Sequence, residues 1–282
     1  MFEFLEIKDI INVHKGVPAV IEGHGPSASV NRDKINKLHE KKEIIVFGIN
    51  EWWSFQNHPI PDYWVRCHTG ANGGWLIERE EDLHWFDRGT AGGKIPLFNC
   101  DTADRSSLQS AMERLNCPYL PYDNRHLGGR TCNENHELLE WFTPLNKTFF
   151  PDCCSRRGRL TIQEEFQKYT KYSELMSASS FTATVYMINF AVIMGCNPVY
   201  INGMELDYFG EDGIYAELTK GNDWRKTFPD FSPGPDSWKG WRRDWMMRDF
   251  NIINESTKNI GVETLNLNHN TWYGIFENGS LK

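Results

Sequence analysis

Residues Thr182 to Tyr215, TATVYMINFAVIMGCNPVYINGMELDYFGEDGIY, decide the fold. Thr182 to Gly195 is apolar on nearly every side, which suits a helix buried inside a domain rather than an amphipathic surface helix. Gly195 stops it, and Pro198 blocks its continuation. Val199 to Asn202 then reads as a short buried strand. Gly203 opens a polar loop that carries Glu205, Asp207, Tyr208, Glu211, Asp212 and Tyr215. In open α/β sheets ligands sit just beyond the carboxyl ends of the strands, so this loop is the first candidate for a site.

Working outward, the same arrangement recurs. Val17 to Glu22 (VPAVIE) reads as the first core strand and runs into Gly23-His24-Gly25-Pro26-Ser27, then a helix from about Ser29 to Lys42 carrying Val30, Ile35 and Leu38. Strand, glycine-rich turn and helix together present backbone N–H groups and a helix dipole to a phosphate. The turn is neither a GxGxxG dinucleotide fingerprint nor a P-loop, since no Gly-Lys-Ser/Thr follows. Further strands are expected at 44–49, ending at Asn50; at 63–67, ending at His68; at 95–98; and at 262–267, ending at Asn268 to Thr271. Helices are expected around Leu108 to Leu115, Thr161 to Met176 and Met246 to Ile253, and residues Met1 to Lys15 as an outer lead-in.

The polar residues therefore follow an order. Gly23 to Ser27, Asn50, His68, Glu205 to Tyr208 and Asn268 to Thr271 each fall directly after a strand. In a parallel sheet those ends share one edge, so segments distant in sequence converge on one crevice. The expected architecture is a Rossmann-like α/β domain over residues 1–282, a mostly parallel sheet with helices on both faces. Residues 117–160 and 221–243 are expected as insertion or lid segments, the second interleaving Trp238, Trp241 and Arg242 with other aromatics and cations.

Composition bounds the function. Forty per cent of the 282 residues are hydrophobic and 24% charged, ordinary for a globular domain. The chain is aromatic-rich, with 11 Trp, 10 Tyr and 17 Phe, and flat faces near polar loops suit bases and sugar rings. A net charge of −8 argues against a nucleic-acid footprint. No apolar run reaches the roughly 18–20 residues a bilayer span needs, and no secretory leader is legible, which leads us to expect a cytoplasmic protein. The 7 Cys then read as reduced thiols, and without CxxC spacing no metal site is expected.

Two blocks also resemble a known family. GHGPS after the first strand and Asn50 after the second resemble the nucleotide-binding edge of bacterial sialyltransferases of the lipooligosaccharide type. TATVYMINFAVIMGCNPVYINGMEL is similar to their small polar turn, VYM, buried helix, Gly and IYLSGID. The hydroxymethylpterin pyrophosphokinase-like and motility-accessory-factor proteins share the GxGPS and late G-x-D patterns. The resemblance implies a nucleotide-binding Rossmann-like fold and, in the sialyltransferases, a CMP-linked sugar donor. It places Gly23, His24, Gly25, Ser27, Asn50, Thr182, Thr184, Gly203 and Glu205 beside the nucleotide. Tyr208 and Tyr215 match two tyrosines that hold the donor phosphate.

The departures are equally specific. The family's base is a His before the late helix, and Ser237 to Arg243 contains none; Ala183 lacks the hydroxyl expected in the central turn. The role of base passes to His68, His126 or Asp207. A glycosyl transfer of this type is expected to need no cofactor, with a nucleotide sugar as donor and a small molecule or glycan as acceptor near Trp238, Trp241 and Arg242. Diphosphate transfer to a small hydroxymethyl compound is the alternative, and would need Mg²⁺ on Glu205 and Asp207. A third reading is a non-catalytic nucleotide- or glycan-binding protein.

Overall fold

The computed structural model describes residues 3–25, 27–50, 52–55, 57–66, 86–100, 112–122, 183–204, 250–251, 253–255, 257–268 and 275–282. Among these residues eight strands form one sheet: β1 Ala19–Glu22, β2 Ile45–Ile49, β3 Tyr63–Arg66, β4 Leu97–Cys100, β5 Tyr119–Tyr122, β6 Val199–Asn202, β7 Thr264–Asn266 and β8 Glu277–Asn278. Their order is β5-β4-β3-β2-β1-β6-β7-β8, and every pairing is parallel. The expected Rossmann-like parallel sheet is what the chain forms. β1 lies inside it, with β2 on one side and β6 on the other.

Alternate residues of each strand face opposite layers. Ala19 and Ile21 of β1, Phe47 and Ile49 of β2, Val65 of β3 and Val199 and Ile201 of β6 pack against α3 (Ala183–Ile193). Thr184 to Met194 is buried throughout, which is why its sequence shows no polar face. Fully burying a Val, Ile, Phe or Met side chain stabilises by ~1.5–3 kcal/mol, so this one helix anchors the layer. Gly195, at φ 81°, closes it, as its position in the sequence requires.

The lead-in does more than cover the outside. After a short helix, α1 (Ile7–Ile10), the N–H groups of Asn12, His14 and Gly16 donate to the carbonyls of Ile193, Met194 and Gly195. These are carbonyls that the last turn of a helix leaves without an internal partner.

On the other face lies α2 (Ala28–Glu40), with Ala28, Arg32, Ile35 and Leu38 buried. Ile35 and Leu38 join Val20, Val46 and Tyr200 in a second core cluster. Val30, expected on the inner side, is 78% exposed. The inner stripe is set by Ala28 and Arg32, and Val30 falls between them. A third cluster forms around Trp52, Trp64, Phe86, Leu97 and Tyr119.

Two strands escaped the sequence reading. Tyr119–Tyr122 (YLPY), left in the segment beginning at Cys117, forms the edge strand β5. Pro121 has no N–H for a ladder, and an edge position tolerates that. The outer side of β5 is bridged at Tyr119, whose N–H donates to Glu3 and whose carbonyl accepts from Leu5. β8 has two residues, too few to show an alternation. The expected helices at 108–115 and 246–253 are described only in part, and helix 161–176, the lid segment 221–243 and residues 123–160 lie outside the described residues. No helix among the described residues is long and apolar enough to cross a membrane.

Candidate functional site

Strand order reverses between β1 and β6, and the crevice of an open α/β sheet lies at such a point. Beyond the strands the two segments stay joined: Gly23 N–H donates to the Asn202 carbonyl at 2.8 Å, and Gly25 N–H to the Gly203 carbonyl at 2.7 Å. A Cβ on Gly23 would lie 2.3 Å from the Gly203 carbonyl oxygen and 2.4 Å from Met204 Sδ. Gly203 itself has φ 68°, and a Cβ there would lie 2.4 Å from that of Ala28. Both glycines are thus required by close approach of the two strand ends and the start of α2.

Two helices begin at this edge. α2 follows β1 directly, with Ser27 preceding its first residue. α3 leads into β6, so its N-terminus lies at the carboxyl end of the strands, where Thr184 Oγ1 donates to Met204 Sδ at 2.8 Å. Two positive dipole ends and a glycine turn around one crevice favour an anion there. Thr184, Gly23, Gly25, Ser27 and Gly203 are therefore brought together, four of them joined through Met204 or the β1–β6 hydrogen bonds.

Beneath the turn lies a buried polar network whose Glu22, Asn31 and Asn202 the sequence reading missed. Asn202 Nδ2 donates to Glu22 Oε2 (2.9 Å) and to the Ala28 carbonyl (3.0 Å). Its Oδ1 accepts from Asn31 Nδ2 (3.0 Å) and Asn268 Nδ2 (3.1 Å). Asn268 Nδ2 also donates to the Ser27 carbonyl at 3.0 Å, and its Oδ1 accepts from Gly203 N–H at 2.6 Å. Asn266 locks Asn268 in turn, through Nδ2 to its carbonyl and Oδ1 to its N–H. The signal was present as polar residues ending apolar strands, a position that reads equally as ligand contact or as internal brace. Among the described residues no group of three His, Cys, Asp or Glu could hold a metal ion.

His24 joins β1 to β2. Its ring packs against Phe55, centroids 4.2 Å apart and planes tilted by 37°, and hydrogen-bonds the Ile49 backbone. Burial, reinforced by His58 and Arg32, pushes its pKa down to about 3, so at neutral pH it carries no charge. Burial likewise lowers His58 to about 4, against its hydrogen bond to the Pro59 carbonyl at 2.6 Å. Asn50 follows β2 with φ 40°, a left-handed backbone unusual outside glycine. Its carbonyl accepts from Trp64 Nε1 at 2.7 Å, while its Oδ1 is buried without a hydrogen bond. Asn50 thus lies at the same edge, one strand from Gly23. His68, Thr182, Glu205, Asp207, Tyr208, Tyr215, Trp238, Trp241 and Arg242 lie outside the described residues.

Comparison with solved structures finds similar chains at low identity. One is a MAf glycosyltransferase from Magnetospirillum magneticum AMB-1, 10% identical at a TM-score of 0.42, the match covering 92% of this chain. This chain spans a third of the length of that one, 33%. Another is the sialyltransferase CstII from Campylobacter jejuni in complex with the substrate analogue CMP-3FNeuAc, 12% identical, TM-score 0.45, covering 93% of this chain and 85% of that one. A third is a sialyltransferase CST-II variant in complex with CMP, 13% identical, TM-score 0.47, with coverages of 92% and 85%. No curated protein matches the sequence. Residues 133–237, a span that contains α3, β6 and Gly203, match the family model of the α-2,3-sialyltransferase CST-I, in agreement with the resemblance carried by Thr182 to Leu206.

Proposed function

We propose that this protein is a glycosyltransferase of the sialyltransferase type, taking a CMP-linked sugar as donor at the β1–β6 crevice. The observation that carries the reading is the convergence of two helix N-termini with Gly23 and Gly203 at the point where strand order reverses. One wall of that crevice comes from the segment that matches the CST-I model. The donor phosphate lies against the Gly23 to Ser27 turn and the start of α3, where backbone N–H groups and dipoles stabilise negative charge. Charge grows on that phosphate as the glycosidic bond breaks, so fixed dipoles there lower the barrier without reorganising.

Tyr208 and Tyr215 steady the leaving phosphate, His68 or Asp207 takes the acceptor proton, and Trp238, Trp241 and Arg242 close on the acceptor. Thr182 and Glu205 flank the nucleotide. The roles of the tyrosines, Thr182 and Glu205 rest on the resemblance; His68 or Asp207 is assigned because the family's His is absent, and Trp238, Trp241 and Arg242 because aromatics and cations interleave there. A thermal-shift comparison of CMP, UMP, a CMP-linked sugar and ATP, each with and without Mg²⁺, tests the reading. CMP and the CMP-linked sugar are expected to raise the melting temperature without metal, a ligand at 100 times its Kd contributing about 2.7 kcal/mol. A shift with ATP and Mg²⁺ alone would replace this reading with diphosphate transfer.

A further inference from the structure

Thr184 is the second residue of α3, and it is fully buried, at 0% exposed. The resemblance places it beside the nucleotide, yet in this structure its side chain has no free surface to offer a ligand. Its hydroxyl instead donates inward, to Met204 Sδ at 2.8 Å. Met204 is nearly covered as well, at 7% exposed, and its side chain also lies against the glycine turn. A Cβ on Gly23 would fall 2.4 Å from Met204 Sδ and 2.8 Å from its Cγ. One thioether is thus wedged between the first turn of α3 and the end of β1.

The backbone behind that thioether is held on both sides. Gly203, which precedes it, has its N–H on Asn268 Oδ1 and its carbonyl on the Gly25 N–H. Elsewhere α3 meets the sheet through apolar side chains, and apolar packing is non-directional. A hydrogen bond has a preferred distance and angle, so the Thr184–Met204 contact fixes the height and rotation of the helix more sharply. It does so at the end of α3 whose N–H groups have no partner within the helix. Donors aimed at a charge that grows during reaction must be held to roughly 0.5 Å. A small retreat of those donors therefore costs turnover before it costs affinity.

We propose that Thr184 and Met204 are a pair of positioning residues for the transfer reaction. Their hydrogen bond sets how closely the N-terminus of α3 stands to the Gly23 to Ser27 turn, and so how squarely both meet the leaving phosphate. Neither side chain touches the ligand. The inference rests on the glycosyltransferase reading and names what aligns its site. Thr184 has further contacts within the protein, so a double-mutant cycle is needed to isolate the pair.

The test measures hydrolysis of CMP-N-acetylneuraminate and calorimetric binding of CMP by the full chain and four variants. Thr184→Val removes the donor, Met204→Leu removes the acceptor at nearly constant volume, a third variant combines them, and Thr184→Ser keeps the hydroxyl. Each of the first two is expected to lower kcat about threefold to tenfold, the worth of one hydrogen bond. KM and the Kd of CMP should stay within about twofold, because the loss falls on the transition state. The double variant should be no slower than the slower single, and Thr184→Ser should restore most of the rate. Unchanged kcat in both singles overturns the proposal, as do losses that multiply in the double variant. A raised KM or Kd at constant kcat overturns it too, by putting a side chain on the ligand. If Thr184→Val does not fold, Met204→Leu alone decides through the split between kcat and KM. Turnover by the wild type with no effect of the variants would remove this inference and keep the nucleotide-sugar reading. No CMP binding and no turnover by the wild type would remove that reading, and this inference with it.

Discussion

The N–H of Gly203 donates to Oδ1 of Asn268 at 2.6 Å, tying the end of β6 to the residue that also holds the Ser27 carbonyl. One side chain thereby fixes both walls of the crevice. Truncating it as Asn268→Ala removes three side-chain hydrogen bonds, to Gly203, Ser27 and Asn202. Each is worth ~0.5–1.5 kcal/mol, and a buried group left unpaired costs more. A loss of about 2–4 kcal/mol in urea unfolding is expected. A loss under ~0.5 kcal/mol, the size of a neutral surface change, would show that the network is not a brace.

Gly203→Ala tests the close approach from the other side. The new Cβ would meet Ala28 at 2.4 Å on a backbone at φ 68°. Left-handed strain costs ~1–3 kcal/mol, and the clash adds to it because Ala28 opens α2 and has no room to retreat. Gly261→Ala is the control: its φ is 76°, yet nothing lies within 4 Å of the added carbon. Circular-dichroism melts should show Gly203→Ala well below Gly261→Ala. Equal melts would mean that the strand ends are not in contact.

The buried histidines set an acid limit. His24 and His58 have folded pKa values lowered to about 3 and about 4. Above pH 6.5 both are neutral, folded or unfolded, and contribute no pH dependence. As pH falls below 6.5 the unfolded chain takes up protons that the folded chain refuses. Stability therefore drops, by ~1.4 kcal/mol per pH unit for each histidine, until the folded pKa values are reached. Urea midpoints measured from pH 6.5 to pH 5, above the range where carboxylates titrate, should fall with both histidines contributing. His24→Gln should flatten the slope by somewhat under half, since burial also lowers the pKa of His14. A flat wild-type profile would mean that the two rings take up protons in the fold.

How much of this was legible follows from which residues carry one meaning only. The helix Val185 to Met194 is apolar on nearly every side, Asn189 being its one polar side chain apart from the Tyr186 hydroxyl, and a segment of that kind has few places to go except the middle of a layered domain. α2 was harder. Its inner stripe contains Arg32, and a charged residue on a buried face defeats a pattern built on apolar spacing, which instead selects Val30 for the inner side. In β5 the proline obscured an edge strand. Within the site, the sequence placed glycines, Ser27 and Asn50 at strand ends, and the family resemblance added Thr184 at the start of the buried helix. It did not show that Glu22, Asn31, Asn202 and Asn268 bond one another, because an asparagine after a strand looks the same whether it faces a ligand or a neighbouring strand.

Asn50 distinguishes stability from binding in a single substitution. It holds φ 40° and buries an acceptor that makes no hydrogen bond, two features that each cost the folded state. Glycine adopts this backbone without strain and carries no amide to desolvate. Relief of ~1–3 kcal/mol from the orphaned acceptor and of about 1 kcal/mol from the backbone outweighs the ~0.5–1 kcal/mol of extra chain entropy glycine brings to the unfolded state. Asn50→Gly should therefore raise the melting temperature while weakening binding of the sugar nucleotide by about one hydrogen bond, some threefold to tenfold. Asn50→Ala loses the same orphaned acceptor but puts a Cβ residue on a left-handed backbone, so it should bind as weakly as Asn50→Gly with a smaller gain in stability. Parallel melts and calorimetric titrations with CMP and a CMP-linked sugar read both effects. If Asn50→Gly is less stable than the wild type, the amide has a structural partner; if it binds as tightly, Asn50 Oδ1 does not meet the ligand.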